Sequence, residues 1–398
     1  MKRLRKVIFW CHLPVGVAGG LIILTMSVTG LLLTYEREIV AWADSRSYVF
    51  RPPSPGAARL PLETLLTRVN QSQIGATASA ITLRPDPAAP VMISYEGGRV
   101  IFVDPYTGEL LSEGSARARG LFRVITDLHR WLGARGENRA IARAVTGACN
   151  FGFMFLVVSG FYLWWPRSRV QVRNVIWFKR GLGGRARDFN WHNVIGFWSL
   201  VPLFIITLSG VVISYPWASN LVYRAVGEAP PPPRGVSSRP AEKAARLPAD
   251  DPPGGLDVIR VRAEQHVSGW QSISMRLPTS ADGPVTFTID RGDGGRPHLR
   301  AQLVLDRKSG EVVRWEPFSS YTTGRRLRTL LRFAHTGEAA GIAGQTIAGL
   351  ASAGGAVLVW TGLALALRRL RAWRARKRYA EPVRAVPQTV EGGGQQTA

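Results

Sequence analysis

The stretch that decides the fold is Val7–Tyr35, VIFWCHLPVGVAGGLIILTMSVTGLLLTY, 29 residues without Asp, Glu, Lys or Arg. Roughly 20 apolar residues suffice to cross the hydrocarbon core of a bilayer. Three further runs share this character: Ala144–Pro166, Phe189–Tyr223 and Ala339–Leu367. Four membrane-spanning helices are therefore expected in a mainly α protein. Lys2, Arg3, Arg5 and Lys6 precede the first run, as in a secretory signal. Its apolar part is too long for one and no A-x-A site follows, so it reads as an uncleaved anchor.

The charge sorts by region. The 398 residues carry a formal net charge of +24, which by itself would suggest nucleic acid as a partner. With 46% hydrophobic residues and 13 Trp, a soluble basic domain or a disordered basic tail is excluded. Residues 1–6 carry +4, the loop Arg167–Asp188 carries +6, and the tail from Arg368 carries +6. All three fall on one side of the four spans, and the positive-inside rule makes that side the cytoplasm. Both termini are then cytoplasmic, the lipid bilayer takes the place of nucleic acid, and a bacterial inner membrane is the expected location. The segment Glu36–Arg117, with eight basic and nine acidic residues, lies outside and is nearly neutral.

The plan is duplicated. The outer segments contain Val100-Ile-Phe-Val-Asp104-Pro-Tyr-Thr-Gly108-Glu and Leu303-Val-Leu-Asp306-Arg-Lys-Ser-Gly310-Glu. Each reads as a strand, a D-x-x-S/T-G turn and a second strand, because Asp can bond its own turn and Gly supplies positive φ. Leu60–Val69 reads as a short helix, so the outer segments are expected to be two small α+β domains. The expected divisions are 1–35 (helix 1), 36–118 (outer domain 1), 119–166 (helix 2 with its approach) and 167–188 (basic loop). They continue with 189–215 (helix 3), 216–327 (outer domain 2, entered through Pro-rich 228–255), 328–370 (helix 4 with its approach) and 371–398 (tail).

Six histidines occur, and four stand at the start of a membrane helix. His12 and His192 enter from the cytoplasmic side, each 4 residues before a glycine (Gly16, Gly196) and 18 before a Ser/Thr-Gly glycine (Gly30, Gly210). His129 and His335 enter from the other side, ahead of Ser159-Gly160 and Thr361-Gly362. A single histidine at a membrane interface is more often a snorkelling ring than a ligand. Two depth-matched pairs are a different matter, because imidazole is a common axial ligand of haem iron and non-covalent haem needs no cysteine. Only two Cys are present, without a Cys-x-x-Cys-His site, which excludes covalent haem, cysteine zinc sites and cysteine-held clusters. Pairing His12 with His192 and His129 with His335 gives two b-type haems, one near each membrane face. Eighteen helical residues rise about 27 Å, so Gly30 and Gly210 fall near the outer haem, and Gly160 and Gly362 near the cytoplasmic one. Plain helix packing through small residues explains these glycines equally well. Charged residues follow His129, so its helix either extends well beyond the core or breaks at Gly133 or Gly136. Arg123, Arg130, Arg325, Arg326, Arg328 and Arg332 surround the outer pair and suit a propionate, an anionic ligand or lipid headgroups. Trp164, Trp165, Trp177 and Trp198 read as an interfacial belt.

The hairpins at Asp104 and Asp306, the helix-entry histidines including His129-Arg-Trp-Leu, and the Ser/Thr-Gly positions resemble the PepSY-associated transmembrane family of bacterial iron-regulated membrane proteins. The likeness runs to about Arg371. It implies that the outer domains are PepSY-like. Some members are ferric-siderophore reductases with two b-type haems, which implies an oxidoreductase with His12, His129, His192 and His335 as axial ligands. The expected function is electron transfer from a cytoplasmic reductase or quinol to a periplasmic ferric siderophore or other ferric chelate. No G-x-G-x-x-G signature provides a reductant site in the chain itself. Two rivals stand beside it: a non-enzymatic binding module, and a haem protein serving copper, quinone or thiol acceptors.

Overall fold

The computed structural model describes residues 2–54, 56–72, 78–166, 172, 175–232, 255–277 and 283–380. Most of the Pro-rich entry, part of the basic loop and the last 18 residues lie outside them. The first half of the chain forms α1 (Lys2–Leu33), α2 (Glu36–Ser45), α3 (Leu62–Ser72), β1 (Ala78–Leu83), β2 (Val91–Tyr95), β3 (Val100–Val103), β4 (Leu110–Ser112), α4 (Ala116–Trp131) and α5 (Asn138–Trp164). The second half repeats that order with α6 (Gly184–Ser214), α7 (Pro216–Ala225), α8 (Leu256–His266), β5 (Ser272–Arg276), β6 (Val285–Asp290), β7 (Arg300–Leu305), β8 (Val312–Pro317), α9 (Thr323–Thr336) and α10 (Gly341–Ala380).

Helices α1, α5, α6 and α10 are long and apolar enough to span a membrane. They form a bundle in which α1 packs on α5 and α10, and α6 packs on the same two. Between its ends lies an apolar layer of Val157, Leu203 and Ala351 with Phe153, Leu200, Ile206 and Leu358. The apolar run 189–223 is not one helix. Pro216 cannot donate a backbone hydrogen bond, and it opens α7 at the position where that loss is harmless.

The approach to the second span breaks rather than extends. Helix α4 ends at Trp131, Leu132 adopts a left-handed conformation (φ 52°), and Gly133 and Gly136 also have positive φ before α5 begins. The approach to the fourth span breaks at the matching place, where Gly337 (φ 79°) closes α9. His129 and His335 therefore sit in the last turns of two short amphipathic helices, not inside spans.

The two outer segments are not separate domains. Their strands join in one eight-stranded antiparallel sheet of order β4-β3-β2-β1-β5-β6-β7-β8. The join is the pairing of β1 with β5, where Ile81 opposes Met275 and Leu83 opposes Ile273. The six inner strands send Ile81, Leu83, Ile93, Ile101, Ile273, Phe287 and Leu303 to one face, where they meet Leu62, Leu65 and Leu66 of α3 and Leu256 and Ile259 of α8 in a single core. The expected hairpins are present: Asp104 Oδ1 accepts from Tyr106 N at 2.7 Å, Asp306 Oδ1 accepts from Ser309 N at 2.9 Å, and Gly108 and Gly310 have φ of 75° and 69°.

Helices α3 and α8 cap one another. Asp257 Oδ2 accepts from Leu62 N at 2.6 Å, and Glu63 Oε1 accepts from Leu256 N at 2.5 Å. Each carboxylate thus satisfies an orphan N–H at the start of the opposite helix. Burial, and then the hydrogen bond to Asp257, hold the Glu63 carboxyl above its ordinary value. A carboxyl raised on folding contributes fully at low pH, and its contribution is lost as pH rises through the folded value. Removing a cap costs about 0.5–2 kcal/mol, so Asp257→Ala is expected to lower the thermal midpoint of the sheet. Glu63→Gln keeps an acceptor without the like charge. Its midpoint should exceed the wild-type value at pH 7.5 by a margin that closes as pH falls; a margin that widens at low pH would contradict the shared-carboxyl arrangement.

Candidate functional site

The four helix-entry histidines come together as two layers in the bundle. His12 on α1 and His192 on α6 form the layer towards the basic ends of the helices. His129 at the end of α4 and His335 at the end of α9 form the layer beneath the sheet. The outer rings lie edge to face, with centroids 6.4 Å apart and planes at 62°.

Every histidine is met by a Ser/Thr-Gly pair on another helix. Nδ1 of His12 lies 2.8 Å from Ser159 Oγ on α5, and Nδ1 of His192 lies 2.9 Å from Thr361 Oγ1 on α10. Nδ1 of His129 lies 2.9 Å from Thr29 Oγ1 on α1. Nδ1 of His335 lies 3.2 Å from Ser209 Oγ on α6 and 2.9 Å from the Ile206 carbonyl. The adjacent glycine makes room for the ring. A Cβ on Gly160 would sit 3.5 Å from His12 Cε1, on Gly362 3.4 Å from His192 Cε1, and on Gly30 3.4 Å from His129 Cε1. Gly30 and Gly210 thus belong to the outer layer and Gly160 and Gly362 to the inner one, as their spacing predicts. Gly210 differs in one respect: its open face meets Asn150, not His335, and a Cβ there would lie 2.8 Å from Asn150 Nδ2. The buried Asn150 amide also donates to the Thr207 carbonyl at 3.0 Å.

Helices α4 and α9 lie outside the spans, and burial there acts strongly on both imidazoles. It pushes His129 down to about 4, with His335 adding to the effect, and it lowers His335 as well. Both rings are neutral at pH 7, so each has a lone pair to give a metal. Metal–imidazole bonds are about 2 Å long, so two rings on opposite sides of one iron have centres about 6 Å apart. The observed separation of 6.4 Å is of that size. Among the described residues no three His, Cys, Asp or Glu side chains gather to hold a bare ion. A two-histidine donor set suits a metal that brings its remaining ligands with it, as haem does.

A cavity of about 1520 Å³ opens beneath the sheet, with His129 and His335 in its wall. Typical small-molecule sites are about 300–1,000 Å³, so it exceeds the needs of one ligand. It runs from Phe153 and Leu203 of the apolar layer up to Thr82 and Met92 on the inward face of the sheet. Arg123, Arg130, Arg143, Arg328 and Arg332 line it without a carboxylate partner among the described residues, whereas Arg119 is paired with Asp44 and Arg139 with Asp127. Arg325 and Arg326, grouped with these on sequence, turn away: Arg325 pairs with Glu316 at 3.2 Å and Arg326 bonds the Ser319 carbonyl. The other two histidines are elsewhere, His266 against Trp315 and His298 in a turn before β7. Trp165, Trp177 and Trp198 expose 58–59% of their surface, as a lipid-facing belt does.

The Ser/Thr hydroxyls and Asn150 are the residues that sequence reading missed. The signal was present, because the residue before the glycine is Ser or Thr all four times.

The model of the PepSY-associated TM region matches residues 9–369, nearly the whole sequence, and the chain belongs to that family. With its four apolar spans, it is a multi-pass membrane protein. A comparison with curated proteins finds no match.

The glycine seats make a ranked prediction. Overpacking costs about 1–3 kcal/mol, and the Cβ approach is closest at Gly210. Gly210→Ala should therefore lower the thermal midpoint more than Gly30→Ala, Gly160→Ala or Gly362→Ala, and Asn150→Ser should restore much of the loss. Equal losses at all four glycines, or no rescue, would contradict this.

Proposed function

We propose that this protein is an inner-membrane electron conduit holding two b-type haems, one between His12 and His192 and one between His129 and His335. The observation that carries the reading is the pairing: four of the six histidines gather as two pairs, each Nδ1 engaged by the protein and each Nε2 left for a ligand. Haem would supply one-electron chemistry at both layers.

The chain's own residues do the rest. With two imidazoles holding each iron, no position would be left open for oxygen or substrate, which would suit electron passage rather than binding. The guanidinium groups of Arg130, Arg328 and Arg332 suit propionates at the outer layer. The cavity has room for a further anion, and the inward face of the sheet roofs it. By the positive-inside rule the sheet faces the periplasm, and the His12/His192 layer faces a cytoplasmic reductase or quinol. A ferric siderophore or other ferric chelate in the cavity would gain one electron and become ferrous. Chelators built for ferric iron hold ferrous iron poorly, so reduction would release the metal for uptake.

His129→Ala and His335→Ala are expected to lose about one haem each and keep the other, measured as haem per chain. The retained haem should be reducible by dithionite but should reoxidise slowly on mixing with ferric siderophore, which oxidises the reduced wild type quickly. Either variant keeping both haems would contradict the pairing. Reduced wild type indifferent to ferric chelates would contradict the acceptor.

A further inference from the structure

The four hydroxyls that meet the histidines share a feature that electron transfer alone does not require. Each also approaches the carbonyl four residues back on its own helix. Ser159 Oγ is 2.6 Å from Phe155 O, Thr29 Oγ1 is 2.6 Å from Thr25 O, Ser209 Oγ is 2.6 Å from Ile205 O, and Thr361 Oγ1 is 2.8 Å from Val357 O. A hydroxyl has one proton, and a peptide carbonyl can only accept. The short contact to the carbonyl consumes that proton, so the side of the oxygen that faces the imidazole is a lone pair. The imidazole nitrogen opposite it must donate.

A second observation fixes the same proton without reference to any hydroxyl. Nδ1 of His335 lies 2.9 Å from the Ile206 carbonyl, three residues before Ser209. At His335 a carbonyl and a hydroxyl lone pair converge on Nδ1.

Back-bonding of Ser and Thr is common in membrane helices and needs no partner. Ordinary back-bonding does not explain why all four oxygens meet a histidine from another helix, always at Nδ1. Free neutral histidine prefers its proton on Nε2; these seats favour the opposite form.

We propose that Thr29, Ser159, Ser209 and Thr361 are positioning residues that hold His129, His12, His335 and His192 in the Nδ1–H tautomer and so present Nε2 as the metal-binding atom. The tautomer stands on the contacts above; its use for iron rests on the two-haem reading. An acceptor on Nδ1–H orients the ring and raises the basicity of the ligating nitrogen, and losing such a partner typically weakens metal binding about 10–100-fold.

The test uses the full-length protein and near-isosteric substitutions. Thr29→Val and Thr361→Val should each weaken haem retention about 10–100-fold at one layer, raise the reduction potential of that layer and leave the other unmoved. Thr29→Ser and Thr361→Ser should restore the wild-type values. A second measurement needs no haem. In the haem-free chain labelled with 15N-histidine, four of the six rings should report Nδ1–H, and Thr29→Val should move the His129 signal towards the Nε2–H form. Unchanged potentials in the Val variants overturn the positioning role, and Nε2–H signals from the wild-type rings overturn the tautomer. A wild type that takes up no haem would instead overturn the two-haem reading, and the 15N spectrum would still decide the tautomer.

Discussion

A polar side chain buried away from water has only the protein to bond, so each buried ring has to be satisfied by the protein. Four imidazoles in one small bundle make that constraint severe, and the rest of the structure answers it. A ring on one helix finds its acceptor on the next helix in the bundle, so the four seats knit α1 to α5, α6 to α10, α4 to α1 and α9 to α6. The glycine matters for the same reason in three of the pairs: without a Cβ, Gly30, Gly160 and Gly362 leave room for the ring against the backbone. The apolar layer around Phe153 and Leu203 then separates the two histidine layers and keeps the centre of the bundle free of charge.

The outer layer also depends on the sheet. His129 and His335 come from different halves of the chain, at the ends of helices that hang below opposite wings of the sheet. Pairing of β1 with β5 fuses those wings, and the reciprocal caps of Glu63 and Asp257 tie the helices above it. The shared sheet adds to the hold of the helix bundle on the two rings, whose centroids are 6.4 Å apart. The two-fold plan is imperfect at one place. Asn150 on α5 and Ser352 on α10 both stand ten residues before their Ser/Thr-Gly glycine. The larger Asn150 fills the space beside Gly210, whereas Gly30 faces both the His129 ring and Ser352.

Much of this was legible in the residues. Charge-free runs gave the four spans, the 18-residue spacing put Gly30 and Gly210 at the outer layer, and the turn chemistry at Asp104 and Asp306 gave both hairpins. What the sequence could not carry was long-range pairing. Two hairpin motifs look alike whether their strands join edge to edge or stay apart, because a strand edge has no sequence signal of its own. The break after Trp131 was one of two open alternatives, and Leu132 in a left-handed conformation carries no glycine to mark it. The hydroxyl half of each Ser/Thr-Gly pair went unread because its partner lies as many as 169 positions away. Arg325 and Arg326 show the reverse error: closeness in sequence to Arg328 and Arg332 does not put them on the same face of α9.

The most direct test is the absorption spectrum of the detergent-purified, full-length protein, oxidised and then reduced with dithionite. Two bis-histidine haems predict a Soret band that shifts on reduction, sharp b-type α and β bands, and two haems per chain. A well-folded protein that stays colourless when supplied with haem would contradict the conduit and leave a membrane-bound binding module in its place.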